Sequence, residues 1–260
     1  MQLSVTALSR PGSRASNEDA CGFLSSEGFC FCVVADGAGG HIGGATASKI
    51  AVRRVLTWFR DHPSCEPQAM QEAILAANHA LVVEQRRDAG LADMRSTVVA
   101  LVIDSQQGIA VWGHVGDSRL YAFRDGASIQ RTRDHSLAQQ LIDTGYVTDE
   151  DLRGSFQRAR LYAALGESDP PVPAVNDTPF PIRAGDAFLL CTDGWWDSVE
   201  LDAIERSLAQ AESADDWLTR EAPGYPGAWL VTSDRALREA AGAGAERLIG
   251  GGAFLRELNA

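Results

Sequence analysis

Phe29-Cys-Phe-Cys-Val-Val-Ala-Asp-Gly-Ala-Gly-Gly-His41 sets an unbroken apolar run, Phe29 to Ala35, against an abrupt Asp36-Gly37. A short continuous run of aromatic and β-branched residues predicts a strand buried on both faces. Such a strand ending at an acid delivers a carboxylate from its tip, and the glycines beside it let backbone carbonyls come close.

Working outward, short strands are expected before this run. From Gly43 onward Ala47, Ile50, Ala51, Val55 and Trp58 follow the helical repeat, and Met70, Ala73, Ile74, Ala77 and Leu81 repeat it, which predicts two core-facing helices. Ser96–Asp104, Gly108–Val115 and Arg119–Phe123 are β-rich runs separated by turn signals such as Arg124-Asp-Gly126, and read as neighbouring antiparallel strands. A polar, helix-favouring region from Ser136 to about Ala164 precedes a further strand, Ala187–Thr192, which again ends in Asp-Gly at Asp193-Gly194. Strands, a helix pair and more strands predict an α+β fold of two packed sheets with helices outside.

The 260-residue chain can bury one substantial core, although length alone does not choose between one large domain and two small ones. A formal net charge of −12 argues against a nucleic-acid partner, because a phosphate backbone is gripped by clustered Lys and Arg. The five cysteines, Cys21, Cys30, Cys32, Cys65 and Cys191, have no CxxC spacing and read as small buried hydrophobes in a reducing compartment. None begins a Cys-x5-Arg arrangement, which disfavours a cysteine nucleophile. The opening Met1-Gln-Leu-Ser-Val-Thr6 has no basic or apolar leader pattern, and no later run approaches the ~20 apolar residues that span a bilayer. A cytoplasmic protein without membrane contact is expected.

Three acids sit at strand ends: Asp36 before Gly37, Asp117 after Gly116, and Asp193 before Gly194. Any one reads as a turn; three in one chain point to shared chemistry. Phosphate monoesters hydrolyse extremely slowly in water, and two divalent ions about 3.5–4 Å apart supply both an activated water and positive charge for the phosphate. Hard ions such as Mg²⁺ and Mn²⁺ take carboxylate and carbonyl oxygens.

Around these acids the chain resembles the metal-dependent type 2C (PPM) protein serine/threonine phosphatases, bacterial type. Arg14-Ala-Ser-Asn-Glu-Asp19 is similar to that family's Arg-x-x-Asn-Glu-Asp, and Val34-Ala-Asp-Gly-Ala-Gly-Gly-His41 to its Asp-Gly-x-Gly-Gly-His. Ser96-Thr97 heads a strand as in the family, Gly116-Asp-Ser-Arg119 is its Gly-Asp-Ser-Arg, Arg133-Asp-His-Ser136 carries its Asp-His-Ser, and Thr192-Asp-Gly-Trp-Trp-Asp197 its Thr-Asp-Gly. The order matches from Arg14 to Asp197.

The resemblance implies a four-layer α-β-β-α sandwich that removes phosphate from phosphoserine and phosphothreonine proteins with two, in some members three, Mn²⁺ or Mg²⁺ ions. It implies that Asp36 bridges two ions, that Gly37 offers its carbonyl to one, and that Asp193 closes the other edge. Glu18 and Asp19 would hold metal-bound waters, and Asp117 with Asp193 a third, weaker ion. Arg14 would grip the substrate phosphate through its planar fork. His41 would be the general acid that protonates the leaving oxygen, against the alternative of a structural histidine. His135 reads as structural, within the cap of the following helix. The Ser136–Ser168 segment stands where the family has a flap beside the active site; its Gly145, Gly154, Arg153, Arg158 and Arg160 suit a mobile, phosphopeptide-attracting excursion as well as an ordinary solvated one. A cognate Ser/Thr kinase and a monomeric state are expected.

Members of the family end with an Asp-Asn pair whose aspartate completes the metal site, and this chain contains no Asp-Asn dipeptide. Residues 1–212 are read as the phosphatase-like catalytic domain, and 213–260 as an atypical C-terminal segment. Ala228-Trp-Leu-Val-Thr-Ser-Asp-Arg235 resembles the end of NYN-type ribonuclease domains, and Asp234 is the nearest candidate to replace the missing ligand. The missing aspartate favours a second reading, a pseudophosphatase that binds phosphoproteins without turnover. The C-terminal resemblance supports a third, a nuclease, which the acidic balance disfavours.

Overall fold

The apolar run is the second strand of a six-stranded sheet, β2 (Phe29–Ala35), paired antiparallel with β1 (Ala20–Ser26) across a tight turn at Glu27-Gly28. The computed structural model describes residues 3–9, 16–148, 151–152, 160–211, 214, 216–217, 230–231 and 248–249. After β2 come the two-residue β3 (Gly37–Ala38), then α1 (His41–Asp61) and α2 (Pro67–Arg87), the two helices that the apolar repeat predicts. β4 (Arg95–Ser96) pairs with β3, and β5 (Val98–Asp104) and β6 (Ile109–Val115) extend the sheet beside β2. β7 (Arg119–Arg124) and β8 (Ala127–Arg131) follow, then α3 (Leu137–Asp143), β9 (Ala174–Val175), β10 (Phe180–Pro181), β11 (Ala187–Cys191), α4 (Asp193–Trp196) and α5 (Leu201–Ala209). β12 (Leu230–Val231) and β13 (Leu248–Ile249) form a separate parallel pair.

The first sheet runs β1-β2-β5-β6-β10 with β9 on β6, and the second runs β11-β7-β8. β2 is apolar throughout because both of its faces are covered. Phe31, Val33 and Ala35 pack on Ala47, Val55 and Phe59 of α1 and on Met70 and Ile74 of α2. Cys30, with Cys32 and Val34 at its side, faces Leu120 and Ala122 of the second sheet. Beyond that sheet Tyr121, Phe123 and Cys191 pack on Trp196, Ile204 and Trp217. Three apolar layers therefore separate four layers of elements, the α-β-β-α sandwich. All five cysteines are free thiols.

Three expectations are corrected. Arg119–Phe123 is not a neighbour of Gly108–Val115: the chain leaves the first sheet at Gly116 and enters the second, where β7 pairs with β8 and β11. Gly116 has φ +99°, a left-handed backbone that glycine adopts without strain. The Ser96–Asp104 run breaks at Thr97, because Ser96 pairs with Gly37 while the Thr97 N–H bonds to the Asp36 carbonyl at 2.8 Å. Among the described residues the helical region after Ser136 is only α3, whose N-terminus Ser136 caps and which ends before Gly145 in a left-handed turn at φ +76°. Beyond it Thr148 is irregular and Asp151–Leu152 form a turn, not a helix.

Candidate active site

Asp36 stands half-buried where β2 gives way to β3, and its backbone is gripped from one side. Its N–H donates to Thr97 Oγ1 at 2.9 Å, and its carbonyl accepts from Ser96 Oγ at 2.8 Å. Ser96-Thr97 thus earns its place in the pattern by fixing the aspartate's main chain. Next to it, Gly37 donates its N–H to the Glu18 carbonyl at 3.1 Å, and that carbonyl also accepts from Ser48 Oγ at 2.5 Å. A Cβ on Gly37 would lie 1.9 Å from the Gly44 carbonyl oxygen, so only glycine lets the start of α1 lie against this turn.

The β1 end supplies Asp19, half-buried, whose Oδ2 accepts from Thr192 Oγ1 at 2.9 Å. Asp193 follows Thr192 at the first position of α4. The carboxyls of Asp19 and Asp193 both lie within hydrogen-bonding reach of Asp36. Burial first, then the charges of these two neighbours, pushes the Asp36 carboxyl far above the ordinary carboxylate range. Asp117, buried at the crossing between sheets, is raised to about 7 by burial and then by Asp193 and Asp134. The chain therefore brings Asp19, Asp36 and Asp193 together, turns Asp117 toward the same charges, and sets Glu18 and Gly37 against one another through their backbones.

Such a cluster is all oxygen, and burial with the charges of its two neighbours disfavours the ionised form of Asp36. A hard divalent cation is what the donor set suits, because it would supply positive charge where burial crowds carboxylates together. Among the described residues no three His, Cys, Asp or Glu side chains stand as a finished cage.

His41 opens α1, and its side chain lies outside the described residues, as do Arg14 and Asp234. His135 is buried, takes a hydrogen bond from the Gly116 N–H at 3.4 Å, and lies between the rings of His114 and Tyr162 at 4.7 and 5.4 Å. Burial, then the neighbouring His114, lowers its pKa to about 4, so it stays neutral and structural.

Sequence reasoning gave Thr192, Ser118 and Trp196 no work. Thr192 aims Asp19; Ser118 Oγ sits 2.6 Å from Thr97 Oγ1; Trp196 Nε1 donates to the Asp117 carbonyl at 3.0 Å. All three flank the motif acids, so adjacency was the available signal, but their partners lie far away along the chain.

Comparison with known proteins gives a consistent picture. The sequence profile of the family described as Protein phosphatase 2C matches residues 9–220. The serine/threonine protein phosphatase PstP of Mycobacterium tuberculosis is 32% identical over 204 residues, which are 78% of this chain and 38% of that protein. The chain thus spans about two fifths of the length of PstP. The serine/threonine phosphatase stp of Listeria monocytogenes is 31% identical over 217 residues, 80% of this chain and 84% of that protein. The crystal structure of the catalytic domain of PstP in complex with two manganese ions superposes with a TM-score of 0.70 at 27% identity, covering 93% of this chain and 91% of that one.

Proposed function

The chain belongs to the protein phosphatase 2C family, and we propose that it hydrolyses phosphoserine and phosphothreonine on proteins with the help of two, or with Asp117 three, Mn²⁺ or Mg²⁺ ions. The observation that carries the reading is the convergence of Asp19, Asp36 and Asp193 at the ends of β1, β2 and β11, an all-oxygen cluster of the kind a hard divalent ion takes. When bound, such ions supply positive charge for the phosphate and an acidified water to attack it.

The chain's own residues set the geometry. Thr97 and Ser96 fix the Asp36 backbone, and Thr192 holds the Asp19 carboxylate. Gly37, with no side chain, lets the start of α1 lie against this turn, while the Glu18 carbonyl accepts its N–H; its own carbonyl is assigned to an ion through the motif it shares with the family. Arg14 is assigned the substrate phosphate and His41 the proton delivered to the leaving serine or threonine oxygen, both through the motifs they share with the family. No phosphoenzyme is required.

The catalytic unit is read as residues 1–212, with 213–260 appended. Trp217 from the appended segment docks on Phe123 with ring centres 5.9 Å apart, and its Nε1 donates to Ser207 Oγ at 2.7 Å. Asp234 is the nearest candidate for the place of the family's terminal aspartate. A cytoplasmic location, an opposing Ser/Thr kinase and a monomeric state belong to the same proposal. Among the described residues no helix is long and apolar enough to cross a membrane.

The test is hydrolysis of p-nitrophenyl phosphate and a phosphothreonine peptide with Mn²⁺, Mg²⁺ or EDTA. Turnover with either metal that EDTA abolishes is the expected result. A folded protein without turnover at millimolar Mn²⁺ would replace this reading with the second one, a phosphoprotein-binding pseudophosphatase, which the absent Asp-Asn pair favours.

A further inference from the structure

Two motif residues that hydrolysis leaves without work, Arg119 and Asp134, form a buried stack with Trp196 against Asp117. The Arg119 guanidinium carbon lies 3.4 Å from the Trp196 ring centre. Its Nε and Nη2 donate to the two oxygens of Asp134 at 2.9 and 2.7 Å. Arg119, Asp134, Trp196 and Asp117 are 4%, 6%, 7% and 7% exposed, so water competes for none of these contacts. A planar fork bound at both tines cannot rotate, and a cation against an indole face holds the ring in one plane. The indole N–H is thereby left a single direction, and it points at the Asp117 carbonyl, 3.0 Å away.

The residue after Asp117 is tied from the other side. Ser118 Oγ lies 2.6 Å from Thr97 Oγ1, the atom that accepts the Asp36 N–H. The crossing between sheets starts at a left-handed glycine, which gives the loop freedom that these two ties remove.

We propose that Trp196, held in register by the Arg119–Asp134 pair, is the positioning residue of Asp117, and that this stack sets how tightly the Asp117–Asp193 side of the site holds its divalent ion. The inference rests on the reading of Asp117 as a ligand of the weaker metal.

The experiment is a calorimetric titration of the full chain with Mn²⁺ alone, comparing wild type, Trp196→Phe, Asp117→Asn, and the double variant Arg119→Met with Asp134→Leu. Trp196→Phe keeps an aromatic ring but removes the N–H, and is expected to weaken the weakest Mn²⁺ site about tenfold while the tighter binding stays within about twofold. The double variant replaces a buried ion pair by apolar groups of similar size, a change that is often near neutral for folding, and is expected to reproduce that shift if Trp196→Phe does not fold. Wild-type Mn²⁺ binding in these variants, or equal weakening of every site, overturns the positioning role while Asp117→Asn still loses an ion. If Asp117→Asn itself binds Mn²⁺ like wild type, Asp117 is no ligand and the proposal falls with that reading.

Discussion

Asp134→Asn offers a direct measure of what the Arg119–Asp134 pair does for the fold. The pair is bidentate, at 2.9 and 2.7 Å, with side chains 5% and 6% exposed. Solvent screening, which reduces surface ion pairs to a median near zero, does not apply at that burial. The substitution keeps shape and volume but leaves the guanidinium buried opposite a neutral amide, and removing one partner of a buried pair costs about 3–5 kcal/mol. The other contacts of Arg119, with Tyr121 Oη at 3.2 Å and with the Trp196 ring, do not neutralise its charge. For a domain of this size each kcal/mol lowers the melting temperature by about 2–4 °C, so a drop of about 6–20 °C is expected. Thermal and urea denaturation followed by circular dichroism measure it, with the urea slope checked for constancy. A loss below about 1 kcal/mol would refute the reasoning, because it would mean that the charge is relieved by water or by a shift of the stack.

Gly37→Ala places a methyl 1.9 Å from the Gly44 carbonyl and is expected to cost at least about 3 kcal/mol and to abolish the thermal stabilisation by Mn²⁺, measured by differential scanning fluorimetry. Thr192→Val removes the hydroxyl that donates to Asp19 Oδ2 with little change of shape; Mn²⁺ affinity should fall about 10–100-fold in a calorimetric titration, and an unchanged affinity would dissociate Asp19 from the metal. His135, lowered from 6.5 to about 4, binds a proton more readily unfolded than folded. Stability should therefore fall as pH drops from about 6.5 toward about 4 and then level for this group, and His135→Phe should flatten that slope in urea melts taken across the same window.

Much of this site was legible because its acids stand at the abrupt ends of apolar runs. Asp36 could be placed because seven apolar residues precede it without a break, and the sandwich buries both faces of that strand. The assignment of Arg119–Arg124 to a different sheet was not legible, since its local pattern fits a neighbour of β6 as well as a partner of β11. The crossing is decided by one backbone angle at Gly116 and by contacts the linear sequence does not display. Polar composition after Ser136 was compatible with a long helix, yet α3 stops before Gly145. The roles of Thr192 and Trp196 were hidden for a different reason. Each acts through one hydrogen bond to a residue 173 or 79 positions away, and neither residue type announces its partner.

The central claim is that the Asp36 cluster is where hydrolysis happens, and the most direct measurement is kcat/KM for a phosphothreonine peptide at saturating Mn²⁺ in wild type and Asp36→Asn, with Mn²⁺ binding measured on the same samples. Because outer partners of metal ligands already cost 10–100-fold, the loss at Asp36 is expected to be at least about 100-fold, together with loss of an Mn²⁺ ion and an unchanged circular dichroism spectrum. Turnover and Mn²⁺ binding that survive Asp36→Asn in a folded protein would contradict the account.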